Sequence, residues 1–194
     1  MAKLNCVVLD GFTLTEHVPG GPVMPGEPTW QALAELVNLT VFPRSPQPTV
    51  VERIRAAELV LTNKVGIDAA VMQHCPLLRY IGVLATGTNV VDLDAAKQRN
   101  ILVTNVPGYA TESVVAHVFA LILELSMRAS EHAGAVAKGD WSNAPDFTFR
   151  LGSSLELSGR TLGIVGFGNI GQRVAAVGQA FGMRVVVATR TKRP

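Results

Sequence analysis

Only two cysteines occur in 194 residues, too few to staple a chain of this size, so a disulfide scaffold is excluded. Charged residues are few as well, at 16% against 48% hydrophobic, with a formal net charge of +2. A chain with so much apolar surface and so little net charge offsets its ordering entropy by burial, which excludes disorder. Long hydrophobic runs are missing too. The most apolar stretch, Ser113–Leu125, contains His117 and Glu124 and is too short to span a bilayer. The N-terminus reaches Asp10 without the apolar segment or small-residue cleavage site of a secretory signal, so a soluble, cytoplasmic protein is expected. Neither Cys6 nor Cys75 has a His or Cys partner at ligand spacing, so both read as inert thiols and no metal is expected. A broad basic face is also lacking. Arg184, Arg190, Lys192 and Arg193 lie in the last eleven residues without an acid, which leaves the preceding chain at −2. That distribution fits a local anion site or a solvated tail and argues against nucleic acid as a partner.

What the chain has is alternation. Apolar runs at Leu4–Leu9, Leu39–Phe42, Leu59–Thr62, Leu78–Leu84 and Ile101–Thr104 read as strands. Helical patterns separate them: one from Thr29 bearing Trp30, Leu33, Leu36 and Val37, then Thr49–Ala57, Asp68–His74, and Leu93–Arg99 with Asp92 as N-cap. Pro19–Pro28 reads as a loop. Five strands joined by helices predict a parallel sheet covered on both faces, occupying about residues 1–105. A long helix is expected from Thr111 to past Arg128, with Thr111 and Ser113 placed for N-capping. Val114, Val118, Leu121, Ile122 and Leu125 mark its expected buried stripe. Trp141, Phe147 and Phe149 read as packing residues of a crossover loop, and His117 as a helix-packing or interface histidine.

The segment Thr161–Thr189 is the most informative. The strand Leu162–Val165 runs into Gly166-Phe167-Gly168-Asn169-Ile170-Gly171. A helix follows with Ile170, Val174, Val177 and Phe181 on one face, Gly182 as its stop, and a strand at Val185–Val187. A GxGxxG turn inside a strand–turn–helix–strand unit is the signature of dinucleotide binding. Gly166 permits the tight turn, Gly168 the approach of backbone to a pyrophosphate, and Gly171 close packing of helix on strand. The helix start supplies free N–H groups and the positive end of the helix dipole. The acid that holds the ribose 2′-hydroxyl of NAD is expected roughly 20 residues on. The chain there has Thr189-Arg190-Thr191-Lys192-Arg193 and no carboxylate. Arg190, with Lys192 or Arg193, would attract a 2′-phosphate, which favours NADP(H) while leaving NAD(H) open.

Three further stretches carry a family resemblance: LTNK at Leu61–Lys64, YIGVLATGTNVVD at Tyr80–Asp92 and TNVPGYATESVVAHVFALIL at Thr104–Leu123. With the glycine turn they make the chain resemble the D-isomer-specific 2-hydroxyacid dehydrogenases, most of all the glycerate dehydrogenase/hydroxypyruvate reductase group. The resemblance implies an α/β fold: a flavodoxin-like substrate domain over residues 1–105, then the first βαβ unit of a Rossmann dinucleotide-binding domain over 106–194. It implies hydride transfer between NAD(P)H and a small 2-oxo or 2-hydroxy acid such as hydroxypyruvate or glyoxylate. It also places substrate at Ala85, Thr86 and Gly87, whose amides can form an anion nest, with Lys64 beside them. A homodimer through the helix around 111–129 is implied as well. One departure is Ala116, where relatives carry Glu or Gln before His117.

The same resemblance implies an Arg, a His and a carboxylate for the chemistry, all beyond the second nucleotide-domain strand and therefore beyond Pro194. No catalytic residue is assigned, and the 194 residues alone are expected to be inactive as an N-terminal part of a longer enzyme. The alternative from another class is a non-catalytic dinucleotide sensor or partner-binding protein, as in the corepressor relatives of this fold.

Overall fold

The computed structural model describes residues 2–15 and 30–190. The Pro19–Pro28 loop, Thr29, Thr191, Lys192 and Arg193 lie outside the described residues. The chain divides into two compact units, Met1–Pro107 and Gly108–Pro194. In the first, the order is β1 (Asn5–Val8), α1 (Phe12–Thr15), α2 (Gln31–Leu36), β2 (Asn38–Val41), a 3₁₀ turn (Gln47–Thr49) running into α3 (Val50–Ile54), β3 (Leu59–Thr62), α4 (Ala69–Gln73), β4 (Tyr80–Val83), α5 (Leu93–Gln98) and β5 (Leu102–Thr104).

All five strands pair in parallel in the order β2-β1-β3-β4-β5, the flavodoxin-like winding. The continuous apolar runs have their reason here. Val8, Leu9, Val60, Ile81 and Val83 are all fully or almost fully buried, alongside Val50 and Ile54 of α3 and Met72 of α4. Asp92 caps α5 as expected, accepting the Ala95 N–H at 2.9 Å, and Asp68 does the same for α4 through the Val71 N–H at 2.8 Å. The helix expected over Thr49–Ala57 is shorter than its pattern. Pro46–Thr49 forms a tighter turn, closed by the Thr49 hydroxyl on the Pro46 carbonyl, before α3 begins.

The second unit contains α6 (Thr111–Met127), α7 (Ala129–Ala137), β6 (Thr161–Val165), α8 (Asn169–Ala180) and β7 (Arg184–Ala188). β6 and β7 pair in parallel, with Thr161 opposite Arg184 and Val165 opposite Ala188. Val115, Phe119 and Val174 form the centre of its core, with Val118, Ile122, Leu162, Ile164 and Val177 around them. Phe181 stacks on Phe119 at 5.4 Å between ring centroids. Gly182, at φ +73°, ends α8 as expected.

The long helix departs from its expected form in three ways. It breaks at Arg128, whose left-handed backbone (φ 53°, ψ 44°) turns the chain by 63° into α7. Such a conformation costs an L-residue about 1–2 kcal/mol. It is held by Arg128 Nη1 donating to the Leu151 carbonyl at 2.9 Å, an ion pair with Glu131, and the Glu124 carboxylate accepting from the Ser130 N–H and hydroxyl. Next, the N-cap is Ala110 with no side-chain cap, and the Ser113 hydroxyl donates back to the Ala110 carbonyl at 3.0 Å; neither Thr111 nor Ser113 caps the helix. Finally, the buried stripe is Val115 and Phe119, flanked by the half-buried Val118 and Ile122, while Val114, Leu121 and Leu125 are exposed. The helix is apolar on almost every face, so its periodicity does not select the face that meets α8. His117 is exposed as well. Among the described residues no single helix is long and apolar enough to cross a membrane, although bent α6 and α7 together reach that length.

Candidate functional site

In the first unit the sequence-selected residues gather at the carboxyl ends of neighbouring strands. Thr62 at the end of β3 is in register with Val83 at the end of β4, so Asn63 and Lys64 emerge beside Leu84–Gly87. This edge is where open α/β sheets bind ligands. The loop after β4 is fastened through its carbonyls. Ala85 accepts from the Val106 N–H at 3.0 Å, and Thr86 accepts from Asn105 Nδ2 at 2.7 Å. The Thr86 hydroxyl donates to the Val106 carbonyl at 3.1 Å. With those carbonyls turned toward the end of β5, the N–H groups of Thr86 and Gly87 meet no acceptor among the described residues and both residues are exposed. Two adjacent free amides are the elements of an anion-binding concavity. Lys64 adds an exposed ammonium on the neighbouring strand.

Sequence reasoning missed the group that builds this edge. Asp10, 1% exposed after β1, accepts the Asn63 N–H through both carboxylate oxygens, at 2.9 and 3.1 Å, and the Lys64 N–H through one. It therefore fixes the turn that presents Lys64. A lone acid directly after an apolar strand was its only signal. Asn105, which ties Thr86, gave none.

In the second unit the glycine turn has the geometry its chemistry requires. Gly166 sits at φ +89°, a conformation that an L-side chain rarely adopts. A Cβ on Gly171 would lie 2.5 Å from the Gly166 carbonyl oxygen, so the helix can approach the turn only without one. A Cβ on Gly168 would meet nothing within 4 Å, so the turn is open on the side from which a ligand would come. Gly168 is the N-cap of α8, and the N–H groups of Gly168, Asn169 and Ile170 donate to no described residue. Free amides, an open approach and the positive end of a 12-residue helix fit a pyrophosphate. Ile170 departs from its expected place on the packed face and is exposed at the mouth of the turn. Thr189 and Arg190 follow β7, are exposed, and bring no carboxylate; Thr191 lies outside the described residues.

Other groups are structural. The Glu112 carboxylate on α6 holds the Arg173 guanidinium on α8 in a two-pronged pair at 2.8 and 3.0 Å, and that hydrogen bonding lowers the Glu112 pKa. His132 uses both ring nitrogens within the unit, Nδ1 on the Arg128 carbonyl at 2.9 Å and Nε2 accepting the Leu151 N–H at 3.2 Å. Among the described residues no three His, Cys, Asp or Glu side chains converge to hold a metal ion. Trp141 and Phe147 do not pack as a crossover loop should. Phe147 is 92% exposed, its carbonyl accepting from Trp141 Nε1 at 3.1 Å, while Phe149 lies against His132.

The model of the D-isomer specific 2-hydroxyacid dehydrogenase catalytic domain matches residues 22–192. The chain belongs to the D-isomer-specific 2-hydroxyacid dehydrogenase family. Within that family it is 38% identical, over 98% of its length, to a hydroxypyruvate reductase of Blautia hydrogenotrophica, and spans 58% of that relative. It is 38% identical to a glycerate dehydrogenase of Methylorubrum extorquens over 71% of this chain and 44% of the relative. It superposes with a TM-score of 0.68 and 29% identity on a D-lactate dehydrogenase from Aquifex aeolicus complexed with NAD and lactic acid, covering 97% of this chain and 52% of that one. The chain therefore spans about half the length of the relatives it matches.

Proposed function

We propose that this chain carries the substrate-binding unit, residues 1–105, and the phosphate-binding half of the dinucleotide unit, residues 106–194, of a cytoplasmic reductase of small 2-oxo acids. Hydroxypyruvate and glyoxylate are the proposed substrates. The observation that carries the reading is the glycine turn with three unclaimed amides, in a member of a dehydrogenase family. NAD is bound in the related D-lactate dehydrogenase structure, and two relatives are named hydroxypyruvate reductase and glycerate dehydrogenase. When bound, the nicotinamide supplies or accepts the hydride. The chain's own residues bind and orient: Gly168, Asn169 and Ile170 offer N–H groups to the pyrophosphate, with Gly166 and Gly171 shaping the turn. Thr86 and Gly87, on a loop that Ala85 fastens, offer theirs to the substrate carboxylate, and Lys64 adds positive charge beside them.

Arg190, with Thr189 and Thr191 beside it, is assigned to the adenosine ribose, where its guanidinium favours a 2′-phosphate. Calorimetric titration of the chain with NADPH and NADH tests this. NADPH is expected to bind more tightly, and Arg190→Ala to erase roughly tenfold of its affinity, as loss of a charge-assisted hydrogen bond does. NADH binding should not change. Equal binding of both cofactors by the unmodified chain would overturn the preference. No residue of the chain is assigned to proton transfer, so binding without turnover is expected of these 194 residues.

A homodimer is proposed through α6, whose outer face presents Val114, Leu121, Leu125 and Met127 to solvent.

A further inference from the structure

We propose that Gln172 is a positioning residue for the pyrophosphate, acting through the Phe167–Gly168 peptide; this rests on the cofactor reading above. Gln172 grips two consecutive carbonyls of the turn. Its backbone N–H donates to the Gly168 carbonyl at 2.9 Å, the first bond of α8, and its side-chain Nε2 donates to the Phe167 carbonyl at 3.1 Å. The first bond exists for any residue at this place, because the helix makes it. The second depends on an amide donor.

A trans peptide is planar, so its C=O and N–H point in opposite directions. Fixing the Phe167 carbonyl against Gln172 therefore fixes the Gly168 N–H on the other side of the plane. No described residue accepts that N–H, and the space beside Gly168 is open to 4 Å from its missing Cβ. Gly168, on one side of this peptide, gives it more freedom to rotate than a residue with a side chain would. Losing the Gln172 bond would let the peptide plane sample more orientations in which the N–H points away from an anion, and ordering it would oppose binding. The side chain of Gln172 is itself exposed and lies outside the core of the unit, so its bond to Phe167 contributes to orientation rather than to packing.

Titration of the full chain separates these roles, with NADPH as the dinucleotide and adenosine 2′-monophosphate, which has no pyrophosphate, as the comparison. Gln172→Ala is expected to weaken NADPH roughly three- to tenfold, the range for loss of one ordering hydrogen bond. Adenosine 2′-monophosphate should bind as before. Gln172→Glu replaces the donor with an acceptor carboxylate that faces a carbonyl and lies near the phosphates, and is expected to weaken NADPH further. Unaltered NADPH binding by Gln172→Ala overturns the role of Gln172 and leaves the cofactor reading standing. So does a parallel loss of both ligands, which marks a general structural effect. Failure of the unmodified chain to bind either ligand overturns the cofactor reading itself, and this inference with it.

Discussion

The three glycines of the turn differ in what a methyl group would do to each, and that difference separates folding from binding. Gly171→Ala puts a Cβ 2.5 Å from a backbone carbonyl oxygen that cannot move without opening the turn. A cost of about 1–3 kcal/mol is expected, the range for overpacking, together with loss of NADPH binding. Gly168→Ala adds its methyl to open space at φ −79°, which any residue adopts. It should leave the thermal midpoint unchanged and block the approach of the phosphates. Melting and titration of the two variants side by side check this, and a Gly168→Ala protein that binds NADPH normally would place the ligand elsewhere. These residues were legible in the sequence because glycine has few reasons to recur at such spacing. Asp10 was not, since one buried acid after a strand has no pattern, and only the parallel pairing of β1 with β3 brings it beneath Asn63 and Lys64.

At the scale of elements, strands were read more faithfully than helix faces. A strand in a sheet covered by helices is mostly apolar, so Leu59–Thr62, buried at Val60 and Thr62 and half-buried at Leu59 and Leu61, could be read directly. A helix apolar on nearly all sides offers several equivalent stripes, and the one at Val114, Leu121 and Leu125 proved to be the outer one. The two faces of α6 therefore predict opposite phenotypes. Phe119→Ala removes a ring buried among Val115, Val174 and Phe181, and is expected to destabilise the second unit by about 3–5 kcal/mol. Leu125→Glu changes a residue that is 84% exposed, and should leave stability within about 0.5 kcal/mol per protomer while dissociating the proposed dimer. Sedimentation velocity at several concentrations gives the answer; a Leu125→Glu protein that still self-associates would move the interface off this face. The break at Arg128 was equally hidden. No glycine or proline marks it, and the contacts that hold it come from Leu151, Glu131 and Glu124.

Across the molecule, the two cysteines report on the integrity of the first unit. Cys6 lies in β1 and Cys75 follows α4, both buried and unpaired, and burial raises both thiols, Cys6 to about 11. Because the folded state holds the proton more tightly than the unfolded one, this contribution to stability is intact below the ordinary thiol value. It fades as pH climbs toward 11. Neither thiol should react with iodoacetamide at pH 8 until denaturant unfolds the unit, and mass spectrometry counts the adducts; prompt modification under native conditions would contradict the burial. The sequence by itself determined the order of strands and helices along the chain, the parallel α/β class and the glycine turn, because these follow from local periodicity and from glycine's lack of a side chain; the family was legible in the motifs it resembles. Tertiary structure alone decided which face of α6 is covered, how Asp10 and Asn105 fasten their loops, and where Gln172 anchors the turn. Each of those depends on groups brought together by packing or by a turn of the chain, and no local pattern of residue types records that distance.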